Sequence, residues 1–221
     1  MNATVILPVK RFAQAKSRLV ETVGPPGRAA LLKAMLADVL VAIGKSRSVE
    51  RVVVVTGEGR AEKIALEAGR SLPIPVEVFQ DPGDPGHSEA ATLGIVRARA
   101  LGAECVALLP GDCPLLDASE LDAALGRMEA GRVAVIPDRH GTGTNGLLMA
   151  PADAIGPAFG EDSRERHVDR AQRAGWRAAV EELPSLALDL DTPDDLAALR
   201  SALAAAPRRA PLTAAALEEI R

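Results

Sequence analysis

Short runs of β-branched residues alternate with longer amphipathic stretches along most of this chain, and that alternation constrains the fold more than any single motif. An apolar strand followed each time by a helix leads to a largely parallel sheet with helices packed on its faces. Strands are predicted over 3–8, 51–56, 76–79, 105–109 and 133–137, then over 147–150, 178–183 and 187–190. Helices are predicted over 28–44, 61–69, 88–101, 119–128, 163–174 and 193–204. In the first of these, Leu31, Leu32, Met35, Leu36, Val39 and Leu40 recur at helical spacing, and Gly44 is a stop signal. The expected architecture is a Rossmann-like α/β three-layer sandwich with a mostly parallel sheet. One domain spans 1–206, and a Pro/Ala-rich tail spans 207–221 with a short helix from Thr213. The tail is expected to pack on the domain or on a partner subunit, which leaves a homodimer open.

Composition narrows the class. Phe12, Phe79, Phe159 and Trp176 are the only large aromatics, with no Tyr, so the core must be aliphatic and base-stacking platforms are scarce. The formal net charge is −4 and no dense basic block occurs, which argues against a nucleic-acid polymer as partner. The first apolar run ends at Val9 and enters Lys10-Arg11, and no 18-residue apolar span follows, so neither a leader nor a membrane anchor is expected. Cys105 and Cys113 are too few for a zinc site or a disulfide framework and read as small buried hydrophobes. The expected setting is the cytoplasm, with reduced thiols.

Three familiar patterns fail their context. Gly141, Gly143 and Gly146 spell G-x-G-x-x-G, yet polar residues precede them and strand-like Leu147–Ala150 follows where a helix should open. Gly86-His87-Ser88-Glu89-Ala90 resembles a nucleophile elbow without its second glycine, and no triad partners accompany it. No G-x-x-x-x-G-K-[ST] occurs.

In open α/β sheets ligands gather at the carboxyl ends of the strands. Directly after the first strand, at Pro8, come Lys10, Arg11, Lys16 and Arg18, a cationic loop able to hold a polyphosphate. Asp112 follows the strand CVALLP and suits Mg²⁺, which takes one or two carboxylates plus phosphate oxygens. Asp189 and Asp191, two apart on a predicted strand, would point to one face. The neighbouring acids have a structural explanation: Thr192, Pro193 and Asp195 make an N-cap, an N1 proline and a capping-box acid. Three carboxylates at 112, 189 and 191 would repel one another unless a divalent cation sits among them. Gly160 and Ser163 open a helix and offer an anion backbone N–H groups and a hydroxyl; the same residues would serve as an ordinary N-terminus. Gly141–Thr144 forms a second donor-rich turn, with Thr142, Thr144 and Asn145. His140 and His167 could touch a phosphate, but surface histidines are the default reading, as is a solvated face for Arg164, Arg166, Arg170 and Arg173.

A cationic loop, an acidic cluster and two anion-holding turns fit nucleotidyl transfer between two anionic reactants. Lys10, Lys16 and Asp112 are the candidate catalytic residues, because charge repulsion and alignment are the main barriers. An acceptor oxygen on a phosphate monoester, with a second pKa of about 6, needs no general base at neutral pH.

The segments PVKRFAQAKSRL, GDCPLL, GTGTN, FGEDSRERH and LDLDTPDDL resemble those of the guanylyltransferases that build the phospho-carboxylate arm of the deazaflavin coenzyme F-420. The resemblance runs from about Thr4 to Arg200 in five ordered motifs. It implies a GT-A-type fold and transfer of GMP from GTP to 2-phospho-L-lactate, phosphoenolpyruvate or 3-phospho-D-glycerate. By the same resemblance Thr144, Gly160 and Ser163 bind the acceptor, Asp112, Asp189 and Asp191 bind Mg²⁺, and Lys10 and Lys16 face the GTP phosphates. Related nucleotidyltransferases often carry G-L-N-x-A where this chain has Gly86-His87-Ser88-Glu89-Ala90. Glu89 could accept from guanine N1–H and N2–H, or lie on a solvent-facing side of its helix. A molybdopterin guanylyltransferase would carry a glycine-rich first loop, which Pro8-Val9-Lys10 is not. A sugar-phosphate nucleotidyltransferase and a non-catalytic nucleotide-binding regulator complete the alternatives.

Overall fold

Seven strands form one sheet in the computed structural model, which describes residues 2–12, 16, 19–81, 83 and 86–220. They are β1 (Ala3–Val9), β2 (Val49–Thr56), β3 (Val76–Gln80), β4 (Val106–Leu108), β5 (Arg132–Pro137), β6 (Thr144–Ala150) and β7 (Arg177–Val180). Their order is β3-β2-β1-β4-β6-β5-β7. All neighbouring pairs are parallel except those of β6, which runs antiparallel to both β4 and β5. The helices are α1 (Val20–Gly44), α2 (Gly59–Gly69), α3 (His87–Ala100), α4 (Ala118–Gly126), α5 (Ser163–Arg173), α6 (Pro193–Ala205) and α7 (Pro211–Glu219).

Both faces of the sheet are covered, so its two central strands are apolar at consecutive positions over 5–9 and 52–55 rather than at alternate ones. Val5 and Leu7 of β1, with Val52 and Val54 of β2, join a core with α1, α2, α4, α6 and α7. Ile6, Val53 and Val55 between them join the opposite core, with α3 and Ala171 of α5. The period of two thus sorts one continuous apolar run into two layers. Gly94 brings α3 close to the sheet: a Cβ there would come within 2.3 Å of Ile6 Cγ2.

The ends of the chain are built into these layers. Thr192 accepts from the Asp195 N–H while the Asp195 carboxylate accepts from the Thr192 N–H, the predicted capping box of α6, with Pro193 at its first turn. Helix α7 starts two residues before the expected Thr213 and packs on α1. Its own N-cap position is Ala210, so Asp38 of α1 supplies the missing acceptor, taking the N–H groups of Leu212 (3.3 Å) and Thr213 (2.7 Å). At the other end Arg200 of α6 donates to the carbonyls of Leu217 (3.0 Å) and Ile220 (2.8 Å).

Several boundaries differ from expectation. Helical structure begins at Val20, ahead of the predicted 28; a non-helical Gly24 (φ 64°) breaks it, and Pro25 and Pro26 suit the fresh helix start that follows. β6 begins at Thr144, so Gly146 lies inside a strand, and the dinucleotide pattern has no helix to open. β7 ends at Val180 instead of 183. The predicted strand over 187–190 is absent: a 3-10 turn at Pro184–Leu186 leads into irregular chain. The Asn145 amide takes the carbonyls of Leu186 (3.0 Å) and Ala187 (3.1 Å), so a side chain occupies groups a ladder would need. Asp189 and Asp191 therefore do not share a strand face. No helix among the described residues is long and apolar enough to cross a membrane. Cys105 and Cys113 are buried and unpaired, as small hydrophobes in the core.

Candidate active site

Strand order reverses beside β1: β2 and β3 extend to one side of it, and β4 lies on the other. In open sheets that reversal leaves a crevice at the carboxyl ends. A cleft of about 880 Å³ lies there. Pro8, Lys10 and Lys16 reach it from β1 and its loop, Asp112 from β4, and Thr144 from the start of β6. Gly160 and Ser163 reach it from α5, Ser88 and Glu89 from α3, and Asp189 and Asp191 from the segment before α6. Residues far apart in sequence are thus brought to one opening. Gly86 stands at the N-cap of α3 with φ 133°, a conformation that favours glycine, and is not among the lining residues. Arg18 lies outside the described residues.

The acidic side is organised by a lysine. The Lys16 ammonium pairs with the Asp112 carboxylate and with Asp191 Oδ1 at 2.5 Å. Asp112, Asp189 and Asp191 were expected to need a divalent cation among them; between Asp112 and Asp191 the chain's own ammonium lies instead. Burial alone would lower the Lys16 pKa, but the facing charges of Asp112 and Asp191 outweigh it and raise it. Lys16 also has φ +58°, a left-handed conformation unfavourable for a residue with a Cβ, which the site holds in place.

Asp189 is buried deeper. Burial pushes its carboxyl up to about 6, helped by the charges of Asp112 and Asp191 and opposed by a hydrogen bond from Asn145. The same Asn145 amide that holds Leu186 and Ala187 reaches Asp189 Oδ1 at 3.2 Å. Asn145 therefore ties the acidic segment to the sheet, a role the turn motif did not reveal. Asp195, one turn into α6, pairs with Arg139 at 2.7 Å and stays structural. Among the described residues no three acidic, His or Cys side chains converge tightly enough to form a metal cage by themselves.

Elsewhere on the lining, donors gather at the start of α5. Ser163 is 1% exposed and its hydroxyl has no hydrogen-bond partner among the described residues, although the residue lines the cleft. It opens α5, whose first N–H groups are the unsatisfied donors of any helix start. Asp162 before it has φ +51° and Gly160 has φ +113°, so the chain turns sharply at this point. Thr144 faces the same space. The neighbouring turn is closed by Asp138, which accepts from the N–H groups of Thr142 and Gly143, both at 3.1 Å.

Two expectations are corrected on α5. His167 is not a surface residue: it is 0% exposed, with Nε2 accepting from the Ala158 N–H (2.8 Å) and Nδ1 at 3.0 Å from Thr144 Oγ1. Arg166 and Arg170 are exposed yet strap the 156–159 segment, donating to the carbonyls of Ala158 (3.1 Å) and Gly156 (2.7 Å). A legible signal existed: Ser163, His167 and Ala171 are spaced four apart, so they share one helix face, and the apolar Ala171 marks it as inward. His87 and Phe159 bridge the two walls. Their rings meet edge-on at 4.7 Å, Phe159 meets His167 at 5.2 Å, and the Phe159 N–H donates to Ser88 Oγ at 2.9 Å. Burial lowers the His87 pKa to about 4.

The profile of the guanylyl transferase CofC-like family matches residues 3–200. A phosphoenolpyruvate guanylyltransferase of Conexibacter woesei is 45% identical over 206 residues, covering 92% of this chain and 90% of its own. Its counterpart in Sphaerobacter thermophilus is 34% identical, covering 89% of this chain and 91% of its own. Among solved structures, one from Desulfovibrio desulfuricans G20 with a nucleotide-diphospho-sugar transferase designation aligns at TM-score 0.74 and 20% identity, over 99% of this chain and 95% of its own. A cytidylyltransferase from Leptospira borgpetersenii aligns at TM-score 0.63 and 18% identity, over 100% of this chain and 94% of its own. These two likenesses establish a shared fold.

Proposed function

The chain belongs to the CofC-like guanylyl transferases, enzymes that use GTP, and from that premise we propose phosphoenolpyruvate as the phospho-carboxylate to which it transfers GMP. One observation carries the reading onto this cleft: a charged Lys16–Asp112–Asp191 cluster on one wall faces the unpartnered Ser163 hydroxyl at the α5 start on the other. The proposed pathway is the early guanylylation step of coenzyme F-420 assembly. The buried, unpaired thiols accord with a cytoplasmic setting.

In this reading Thr144, Ser163 and the backbone at Gly160 hold the acceptor, while Lys10 and Lys16 meet the triphosphate. A phosphate oxygen of the acceptor attacks the α-phosphorus of GTP; the bond from that phosphorus to the bridging oxygen breaks, and pyrophosphate leaves. The acceptor phosphate, with a second pKa of about 6, is already ionised at neutral pH, so no side chain must take its proton. The cleft's task is to offset repulsion and align the two anions. Glu89 and the backbone around Gly86 are assigned to the guanine side.

Mg²⁺ fits the donor set. Asp112 and Asp191 already converge on one cation position, held here by the Lys16 ammonium, and both are hard oxygen ligands. They would hold the ion with Asp189 beside them, and the bound ion would supply positive charge to the triphosphate oxygens. Lys16 would then be released toward the phosphates.

The test is pyrophosphate release from GTP and Mg²⁺ with phosphoenolpyruvate, 2-phospho-L-lactate or 3-phospho-D-glycerate. The highest kcat/KM is expected with phosphoenolpyruvate. No release above the acceptor-free rate with any of the three would overturn the reading; preference for another acid would overturn the assignment of phosphoenolpyruvate.

A further inference from the structure

His167 makes two hydrogen bonds whose directions determine each other. The Ala158 N–H can only donate, so Nε2, at 2.8 Å, must be an unprotonated acceptor. The ring is buried at 0% exposure, and burial, followed by the charges of Arg170 and Arg166, lowers its pKa to about 4. A neutral ring without a proton on Nε2 carries it on Nδ1. That N–H lies 3.0 Å from Thr144 Oγ1 and donates to it. Thr144 Oγ1 has no other partner among the described residues, and the side chain lines the cleft. Its own proton therefore has no acceptor among the described residues and can be donated into the cleft.

We propose that His167 is a positioning residue that fixes the Thr144 hydroxyl as a hydrogen-bond donor, so that this seat selects a ligand oxygen able only to accept. An ionised carboxylate or phosphate meets that requirement; a ligand group that can only donate would leave the Thr144 proton without an acceptor. The same ring fixes the Ala158 N–H and packs edge-on against Phe159, so it also sets the chain entering Gly160. One buried imidazole thus orients two of the three proposed acceptor contacts. The inference rests on the proposed acceptor seat and adds to it the polarity of that seat.

Two substitutions divide the imidazole's functions. In His167→Asn an amide can overlie Nδ1 and still donate to Thr144, while the Ala158 bond is lost. In His167→Gln an amide can overlie Nε2 and still accept from Ala158, while donation to Thr144 is lost. The acceptor KM of the Gln variant should exceed that of the Asn variant by about tenfold, the weight of one hydrogen bond to a charged ligand, with GTP KM similar in both. Equal acceptor KM values, or a rise in GTP KM matching that in acceptor KM, would overturn the inference. A direct check needs no variant: ¹⁵N NMR of the wild-type protein at neutral pH should show His167 protonated at Nδ1 and bare at Nε2. The opposite tautomer would overturn the inference with the functional reading intact. Wild-type protein inactive with all three phospho-acids would instead overturn the functional reading and this inference with it.

Discussion

Lys16 separates two carboxylates, so removing its ammonium should cost more than one interaction. Lys16→Met leaves Asp112 and Asp191 facing each other, and kcat should fall by about a hundredfold or more. Steady-state kinetics against GTP checks this; a kcat within threefold of wild type would contradict it. Asp112→Asn should likewise reduce turnover by about 10²–10³, and near-wild-type turnover at limiting Mg²⁺ would exclude Asp112 as a ligand. Asn145 belongs to a different class, since it acts on the backbone and on Asp189. Asn145→Ala frees two carbonyls and one carboxylate, and urea denaturation should register a loss of about 1–3 kcal/mol. At this scale the sequence discloses residues whose chemistry is conspicuous, such as Asp112 after its strand. It hides those whose role depends on burial: His167 sits in a helix with six charged residues, where only its spacing from Ser163 and Ala171 betrays an inward face.

The elements divide along similar lines. The capping box of α6 was readable because Thr192, Pro193 and Asp195 carry their own geometry, and Thr192→Ala should cost about 1 kcal/mol in chemical denaturation. The cap of α7 was not readable, since Asp38 and Thr213 are joined only by the packing of α7 on α1. Asp38→Ala should destabilise the protein by about 1–2 kcal/mol, although Asp38 lies outside the cleft lining and GTP KM should stay unchanged. β1 and β2 were legible from the apolar runs over 5–9 and 52–55, because strand segments buried on both faces favour apolar residues at consecutive positions. The segment 187–190 misled for the converse reason. Its alternating pattern suits a strand, but Asn145 and the Arg139 N–H, which takes the Ala187 carbonyl at 2.9 Å, claim its backbone first.

Across the whole molecule, the buried His87 and His167 together place the loss of stability on the acid side, against the opposite contribution of the raised Asp189 carboxyl. His167 has a folded-state pKa of about 4 against an ordinary 6.5, so above pH 6.5 neither folded nor unfolded chain binds its proton. Between 6.5 and 4 only the unfolded chain does, and folding should lose up to about 3 kcal/mol across that window. Glu181 adds to the loss at lower pH. Burial would raise its pKa, but hydrogen bonds from Arg127 and Arg132 hold it below the usual carboxylate value, and that stability disappears as those bonds are protonated away. Urea midpoints measured from pH 7 to 4 should fall, with a shallower slope in His167→Asn; an identical slope would contradict the assignment. The proposed transfer of GMP can be read at the phosphorus atoms themselves, by ³¹P NMR of the protein with GTP, Mg²⁺ and phosphoenolpyruvate. Growth of two coupled diphosphate resonances from a guanylylated acceptor, matched by free pyrophosphate, is the predicted result. GTP left intact, or cleaved to GDP and phosphate without acceptor consumption, would contradict it.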